Sequence, residues 1–253
     1  AIEQTEALIA KQQRIKIGLM QALLTRGIDE HGNLRSERTH QFKDSPLGRI
    51  PVEWEVIALS DAGTWSSGGT PPKSTPRFWG DEVPWVCPKD MKTFDLTDTI
   101  DSLTEVGARY GSKLMPAGTV FIVIRGMILA HTFPVGNAIR SMAFNQDIKA
   151  VVTRPNIEGR YLAYWLSAHG HDILKIATTA THGTKRFDMD DLLAVNVAVP
   201  TLSEQSRIVR AFDELQQAID LNNKHAKKLR SLKTALMQDL LTGKVRVTPL
   251  LDN

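Results

Sequence analysis

The sequence predicts an α+β fold in which one mixed domain is carried between two long helices. Three observations lead there. The two ends of the chain repeat each other, a heptad lattice runs through the second copy, and the middle alternates short β-branched runs with helical and turn-rich stretches.

Residues 1–28 and 218–245 align without a gap, with ten identities, the densest being Leu19-Met20-Gln21 and Leu23-Leu24-Thr25 against Leu236-Met237-Gln238 and Leu240-Leu241-Thr242. That density marks a duplication. In the second copy Ile208, Phe212, Leu215, Ile219, Asn222, Ala226, Leu229, Lys233, Leu236 and Leu240 alternate spacings of four and three, and eight of these ten are apolar. This is the seam of a coiled coil, in which Asn222 sets register and Lys233 snorkels. Pro200 blocks an earlier start, Ser203 is a suitable N-cap, and Gly243 a suitable stop. A helix of about 40 residues is about 60 Å long and needs a partner to bury its stripe. The two copies are therefore expected to pair as an antiparallel coiled coil, with Leu19 and Leu23 of the first copy on the shared seam.

The remaining elements follow in order. The first helix covers 1–25. Residues 26–45 are polar and charge-balanced and predict a linker. A domain spans 46–202, in which Gly118–Ile124, Ala150–Thr153 and Val195–Val199 are expected strands and Tyr161–His169 a short helix. Residues 63–92, rich in Gly, Pro, Trp and Lys, predict long ordered loops that carry function. The second helix covers 203–247, and 248–253 form a tail.

Composition narrows the function. A lone Cys87 in 253 residues excludes a disulfide framework and an all-cysteine metal site, and it suits a reducing cytoplasm. No apolar run approaches the roughly 20 residues that span a bilayer. The net charge of +3 is unevenly placed: residues 203–247 hold nine Lys and Arg against five Asp and Glu, whereas 46–202 hold 15 against 16. A neutral middle domain works through local contacts rather than a broad basic face.

The central domain resembles a target recognition domain of the specificity subunits of type I restriction–modification systems. The resemblance is carried by Gly48-Arg49-Ile50-Pro51 with Trp54 and Leu59, by Gly68-Gly69-Thr70-Pro71, Phe78-Trp79-Gly80, Val83-Pro84-Trp85 and Asp90. It continues through Leu114–Val120, Asn145-Gln146-Asp147, Tyr161-Leu162, and Pro200-Thr201-Leu202 with Glu204-Gln205 and Ile208. Order and spacing, with the duplicated helices on either side, make the match specific. It implies a subunit that is not itself an enzyme, reads one half of a bipartite double-stranded DNA target, and docks modification (methyltransferase) and restriction subunits. S-adenosylmethionine, ATP and Mg would sit on those partners and none on this chain. Complete subunits of the family alternate two recognition domains with two helices. A chain with one domain is then part of a longer subunit, or a half-subunit forming a homodimer that reads two identical half-sites.

Base reading needs paired donors and acceptors on loops or a helix. The first such loop offers Thr70, Lys73, Ser74, Arg77, Lys89 and Lys92; the second, 178–186, offers Thr179, Thr181, His182, Lys185 and Arg186. The bland alternative for each is a solvated loop side chain. Trp54, Trp79, Trp85 and Trp165 sit among apolar neighbours and read as core, as does Cys87; Trp65 is ambiguous between core and base stacking. His169 and His171, two apart on a helix, make a poor metal pair, and Asp188, Asp190 and Asp191 suit a helix start.

Two other function classes compete with this one. A protein-binding structural adaptor without DNA readout is favoured by the neutral middle domain. A stand-alone nuclease would rest on Asp147-Ile148-Lys149 alone, a match short enough to arise by accident. The sequence has no Asn-Pro-Pro-Tyr motif, no Gly-rich adenosylmethionine loop and no Walker A loop.

Overall fold

A computed structural model describes residues 1–179 and 184–244. In chain order the elements are α1 (Ile2–Thr25), β1 (Phe42–Ser45), β2 (Gly48–Pro51), β3 (Glu55–Ala58), β4 (Gly63–Ser67), β5 (Trp79–Val86), β6 (Asp95–Leu96), β7 (Ser102–Leu103) and α2 (Glu105–Gly111). There follow β8 (Val120–Val123), β9 (Val135–Ala138), β10 (Ala143–Phe144), β11 (Ile148–Thr153), α3 (Gly159–Ala168), α4 (Gly170–Ile173), β12 (Thr178–Thr179), β13 (Lys185–Arg186), α5 (Met189–Leu193), β14 (Asn196–Val199) and α6 (Leu202–Leu241). The chain divides into two compact units, Leu23–Val209 and a helical unit of Ala1–Ala22 with Arg210–Asn253, the latter described as far as residue 244.

The larger unit is built on a five-stranded sheet in the order β4-β11-β8-β9-β6. β8 is buried at all four positions, which is why its sequence is an uninterrupted β-branched and aromatic run. β11 pairs antiparallel with β4 on one side and β8 on the other, and α3 packs on β8 and β9. Tyr161, Leu162 and Trp165 of α3 are fully or almost fully buried, and the Tyr161 hydroxyl donates to the Ala198 carbonyl at 2.8 Å. A smaller sheet, β10-β5-β7, carries a second core of Val83, Trp85, Cys87, Leu103, Ala108 and Ala143, against which Trp79 packs.

The structure departs from two of these expectations. Residues 63–92 are not all loop: β4 and the eight-residue β5 lie within them, and β5 pairs with β7 and β10. A bulge between Trp79 and Val83 breaks the period of two that would otherwise have exposed this strand in the sequence. Nor does 26–45 form a free linker. Ile28 and Arg35 are buried, Ile28 and Leu34 form an isolated bridge, and β1 pairs with β2 across residues 46 and 47.

The anchor for this segment is Glu204. Its Oε1 accepts from the Ile28 amide at 2.9 Å and from the Arg35 guanidinium, and its Oε2 accepts from Trp54 Nε1 at 3.1 Å. The next residue, Gln205, accepts from the Glu158 amide at 2.8 Å and donates to the carbonyls of Asn156 and Pro200 at 3.0 and 2.8 Å. Both sit in the first turn of α6, and both are buried because their polar atoms find backbone and side-chain partners in the domain.

In the helical unit α1 and the end of α6 run antiparallel. Arg230 donates to Glu6, Asn222 Nδ2 donates to Gln12 Oε1 at 2.9 Å, and Lys16 donates to Gln216, so one number rises as the other falls. The seam residues Phe212, Ile219 and Ala226 are buried, Ile9 is buried from the other helix, and Leu19, Leu215 and Leu229 are half-buried. Ile9 and Ala226 occupy the same position of the repeat, so the copies pair about a point close to these residues. Two seam assignments fail: Leu236 and Leu240 are 53% and 37% exposed. The register that sets Glu6 against Arg230 leaves little of α1 to lie beyond Lys233. Leu23 is buried, but it belongs to the larger unit.

Burial lowers the pKa of Lys16, an effect opposed by the nearby Asp220 and Asp213. Among the described residues no helix is long and apolar enough to cross a membrane.

Candidate nucleic-acid interface

One end of the five-stranded sheet gathers segments that are far apart in sequence. The corner Asn145-Gln146-Asp147, between β10 and β11, lies at the centre. On one side is the stretch after β4. Gly69 N donates to the Phe144 carbonyl at 2.9 Å, and the Thr70 hydroxyl donates to Gln146 Oε1 at 2.6 Å. Gly68 fits here because a Cβ would stand 2.2 Å from the Phe144 oxygen.

On the other side is the segment that leaves β8. The Ile124 amide donates to the Asp147 carbonyl at 2.9 Å, and Arg125 Nε donates to Asp147 Oδ1 at 2.7 Å. The same segment holds the second loop. Gly126 N donates to the Lys185 carbonyl at 3.0 Å, Phe187 N to the Ile124 carbonyl at 2.9 Å, and Arg125 and Arg186 form an isolated bridge. Gly126 has φ +146°, a conformation that other residues rarely adopt.

The corner thereby joins the two loops that the sequence singles out. Of the named residues, Thr70 touches the corner directly, and Lys185 and Arg186 lie on β13 beside the Arg125 segment. Thr179 is exposed on β12 opposite Lys185. Thr181 and His182 lie outside the described residues. An open cleft of about 430 Å³ adjoins the corner and is lined by Thr70, Lys73, Trp85, Cys87, Lys89 and Gln146 among others.

Three of the remaining cations already have partners. Lys73 lies over the Trp79 ring at 5.9 Å, Arg77 stacks on Phe78 at 5.1 Å, and Lys89 pairs with Asp101 at 2.8 Å, a hydrogen bond that raises the lysine's pKa. Ser74 and Lys92 are exposed on turns.

Four polar side chains at this end of the sheet carry no DNA-contact role in the sequence reading: Arg125, Gln146, Lys113 and Lys149, of which Gln146 enters only as part of the Asn145-Gln146-Asp147 resemblance and Lys149 only in the nuclease alternative. Lys113 donates to Ser66 at 2.8 Å and Lys149 donates to Ser67. The one available signal was an arginine followed by glycine at the close of the apolar run 118–124.

Cys87 is a free, buried thiol. Burial, helped by the Asp90 carboxylate that accepts its S–H, pushes its pKa up to about 12. Trp65 resolves as a structural residue, half-buried and donating to the Leu59 carbonyl at 3.2 Å. Among the described residues no group of three or more His, Cys, Asp or Glu side chains is placed to hold a metal ion.

Comparison with known proteins agrees with this architecture. Residues 51–231 match the family model described as the type I restriction modification DNA specificity domain. The chain is 31% identical over 223 residues to the type I restriction enzyme EcoR124I/EcoR124II specificity subunit of Escherichia coli, covering 86% of this chain and 55% of that protein. It is 28% identical over 205 residues to the HindI specificity subunit of Haemophilus influenzae, covering 78% and 42%. Among solved structures, the HsdS subunit from Thermoanaerobacter tengcongensis superposes with a TM-score of 0.60 at 20% identity, over 94% of this chain and 54% of that one. The type I restriction–modification S subunit from M. genitalium gives 0.61 at 15% identity, over 94% and 56%. The chain thus spans about half the length of the relatives it matches. With the family model covering most of its length, this chain belongs to the type I restriction modification DNA specificity domain family.

Proposed function

We propose that this chain reads one half of a bipartite DNA target as a non-catalytic part of a type I specificity subunit, and docks modification and restriction subunits. The observation that carries the reading is the meeting of both candidate loops at one sheet end, with Thr70, Arg125, Lys185 and Arg186 brought to a single corner. Cations there can bind phosphates or guanine edges, and hydroxyls and the Gln146 amide can serve as either positioning or base contacts. S-adenosylmethionine, ATP and Mg belong to the partner subunits in this reading, and the complex works in the cytoplasm.

The paired helices act as spacer and docking rod. Leu232, Leu236, Met237 and Leu241 of α6 are more than half exposed, which suits a helix that meets partner subunits.

The test is co-purification with the cognate modification subunit, then sequencing of DNA retained from a random double-stranded pool. An enriched motif supports the reading, and a two-fold symmetric motif identifies a self-paired chain. A complex that forms and enriches nothing replaces it with the adaptor reading.

A further inference from the structure

We infer that Arg125 is a guanine-reading side chain and that Asp147 is its positioning residue; this rests on the DNA-reading role proposed above. Arg125 Nε donates to Asp147 Oδ1 at 2.7 Å and Nη2 lies 2.5 Å from the same oxygen. A guanidinium has five N–H groups in a fixed plane. With Nε and one Nη2 hydrogen turned toward the carboxylate, the end of the fork made by Nη1 and Nη2 is directed away from it. That edge is the one that can donate two parallel hydrogen bonds to guanine O6 and N7. The Arg125 side chain is 51% exposed, so it reaches solvent at the sheet end rather than serving the core.

The support behind it is unusually complete. Asp147 is fixed by Asn145, whose Nδ2 donates to Asp147 Oδ2 at 3.2 Å and whose Oδ1 accepts from the Asp147 amide at 3.1 Å; Asn145 itself is only 6% exposed. The backbone on either side of Arg125 is tied to Asp147, Lys185 and Phe187 by the bonds given above. A reading side chain must be held within a fraction of an ångström to discriminate one base from another, and a locked backbone with an aligned carboxylate supplies that. Lys73 and Arg77 lie on the Trp79 and Phe78 rings and Lys89 pairs with Asp101, and all three lack this double restraint. Lys185 and Arg186, next to Arg125, suit the flanking phosphates.

The experiment selects DNA from a random double-stranded pool with the full chain, in complex with its modification subunit, for the native protein, Arg125→Lys and Asp147→Asn. Arg125→Lys keeps the charge and removes the fork. It is expected to relax one G·C position of the enriched motif by about 5- to 150-fold while every other position is retained. Asp147→Asn is expected to relax the same position to a smaller degree. The retained positions report that the variants fold. An unchanged motif in Arg125→Lys overturns the inference and leaves the DNA-reading role standing. A uniform fall in affinity across all sequences also overturns it, because Arg125 is then a phosphate contact. A native complex that enriches no motif removes the DNA-reading role and the inference with it.

Discussion

The Thr70 hydroxyl donates to Oε1 of Gln146 across 76 residues of chain, and this 2.6 Å bond ties the Gly-rich stretch after β4 to the corner that also holds Arg125. The bond is exposed, so it contributes little to global stability, yet it fixes the direction of the Gln146 amide.

Thr70→Val keeps the shape of the side chain and removes the donor. Unfolding free energy is expected to fall by no more than about 1 kcal/mol. Binding to a selected motif should weaken, while binding to unrelated DNA stays the same, as read by fluorescence anisotropy on both. Equal loss on both duplexes would make Thr70 a positioning contact only.

Lys185→Ala and Arg186→Ala separate phosphate contact from base readout. If these residues hold the backbone beside Arg125, each variant should weaken specific and nonspecific duplexes alike and lower the salt slope by about 1. A selective loss on the specific duplex would move base reading onto β13.

Glu204→Gln leaves the Arg35 guanidinium buried without its counter-charge. Removing one partner of a buried pair costs about 3–5 kcal/mol, to be read as a lower urea midpoint for the chain. Because Trp54 donates to the same carboxylate, its fluorescence should change as well. A loss under about 1 kcal/mol would mean that water reaches the site.

Ile219→Asp places a charge on the buried seam of the helical pair. All five tryptophans lie between residues 54 and 165, within the larger unit, so their fluorescence reports on that unit alone. The expected result is an unchanged tryptophan signal, increased proteolysis of α1 and the end of α6, and failure to retain the modification subunit. Retention of that subunit would remove the helices from docking.

Cys87 gives a pH-dependent readout. Its folded pKa, about 12, lies above the ordinary 9.0, so the stabilisation linked to the protonated thiol is present below pH 9 and is lost as pH rises toward 12. At pH 8 alkylation by iodoacetamide should be slower in the native chain than in urea by on the order of 10-fold or more. Equal rates would show that the thiol is exposed in the folded state.

Much of this was legible in the residues because it is periodic or local. The repeat, the seam from Phe212 to Ala226 and the buried run of β8 each announce themselves in a few turns or a few strand residues, where burial on one face dictates side-chain type. The α+β class and the two-helix frame follow from that alone. β5 is hidden because its bulge breaks the alternation, and Leu236 and Leu240 fall off the seam because a seam pattern does not state how far its partner extends.

Tertiary structure decided the rest. Glu204 looks like any polar residue in a first helical turn until Ile28, Arg35 and Trp54 converge on it. Arg125 looks like the end of a strand until Asp147 and β13 close around it. Such meetings join residues tens to hundreds of positions apart, and no local pattern encodes them. They arise because packing the sheet brings distant chain ends together and buried polar groups must then find partners.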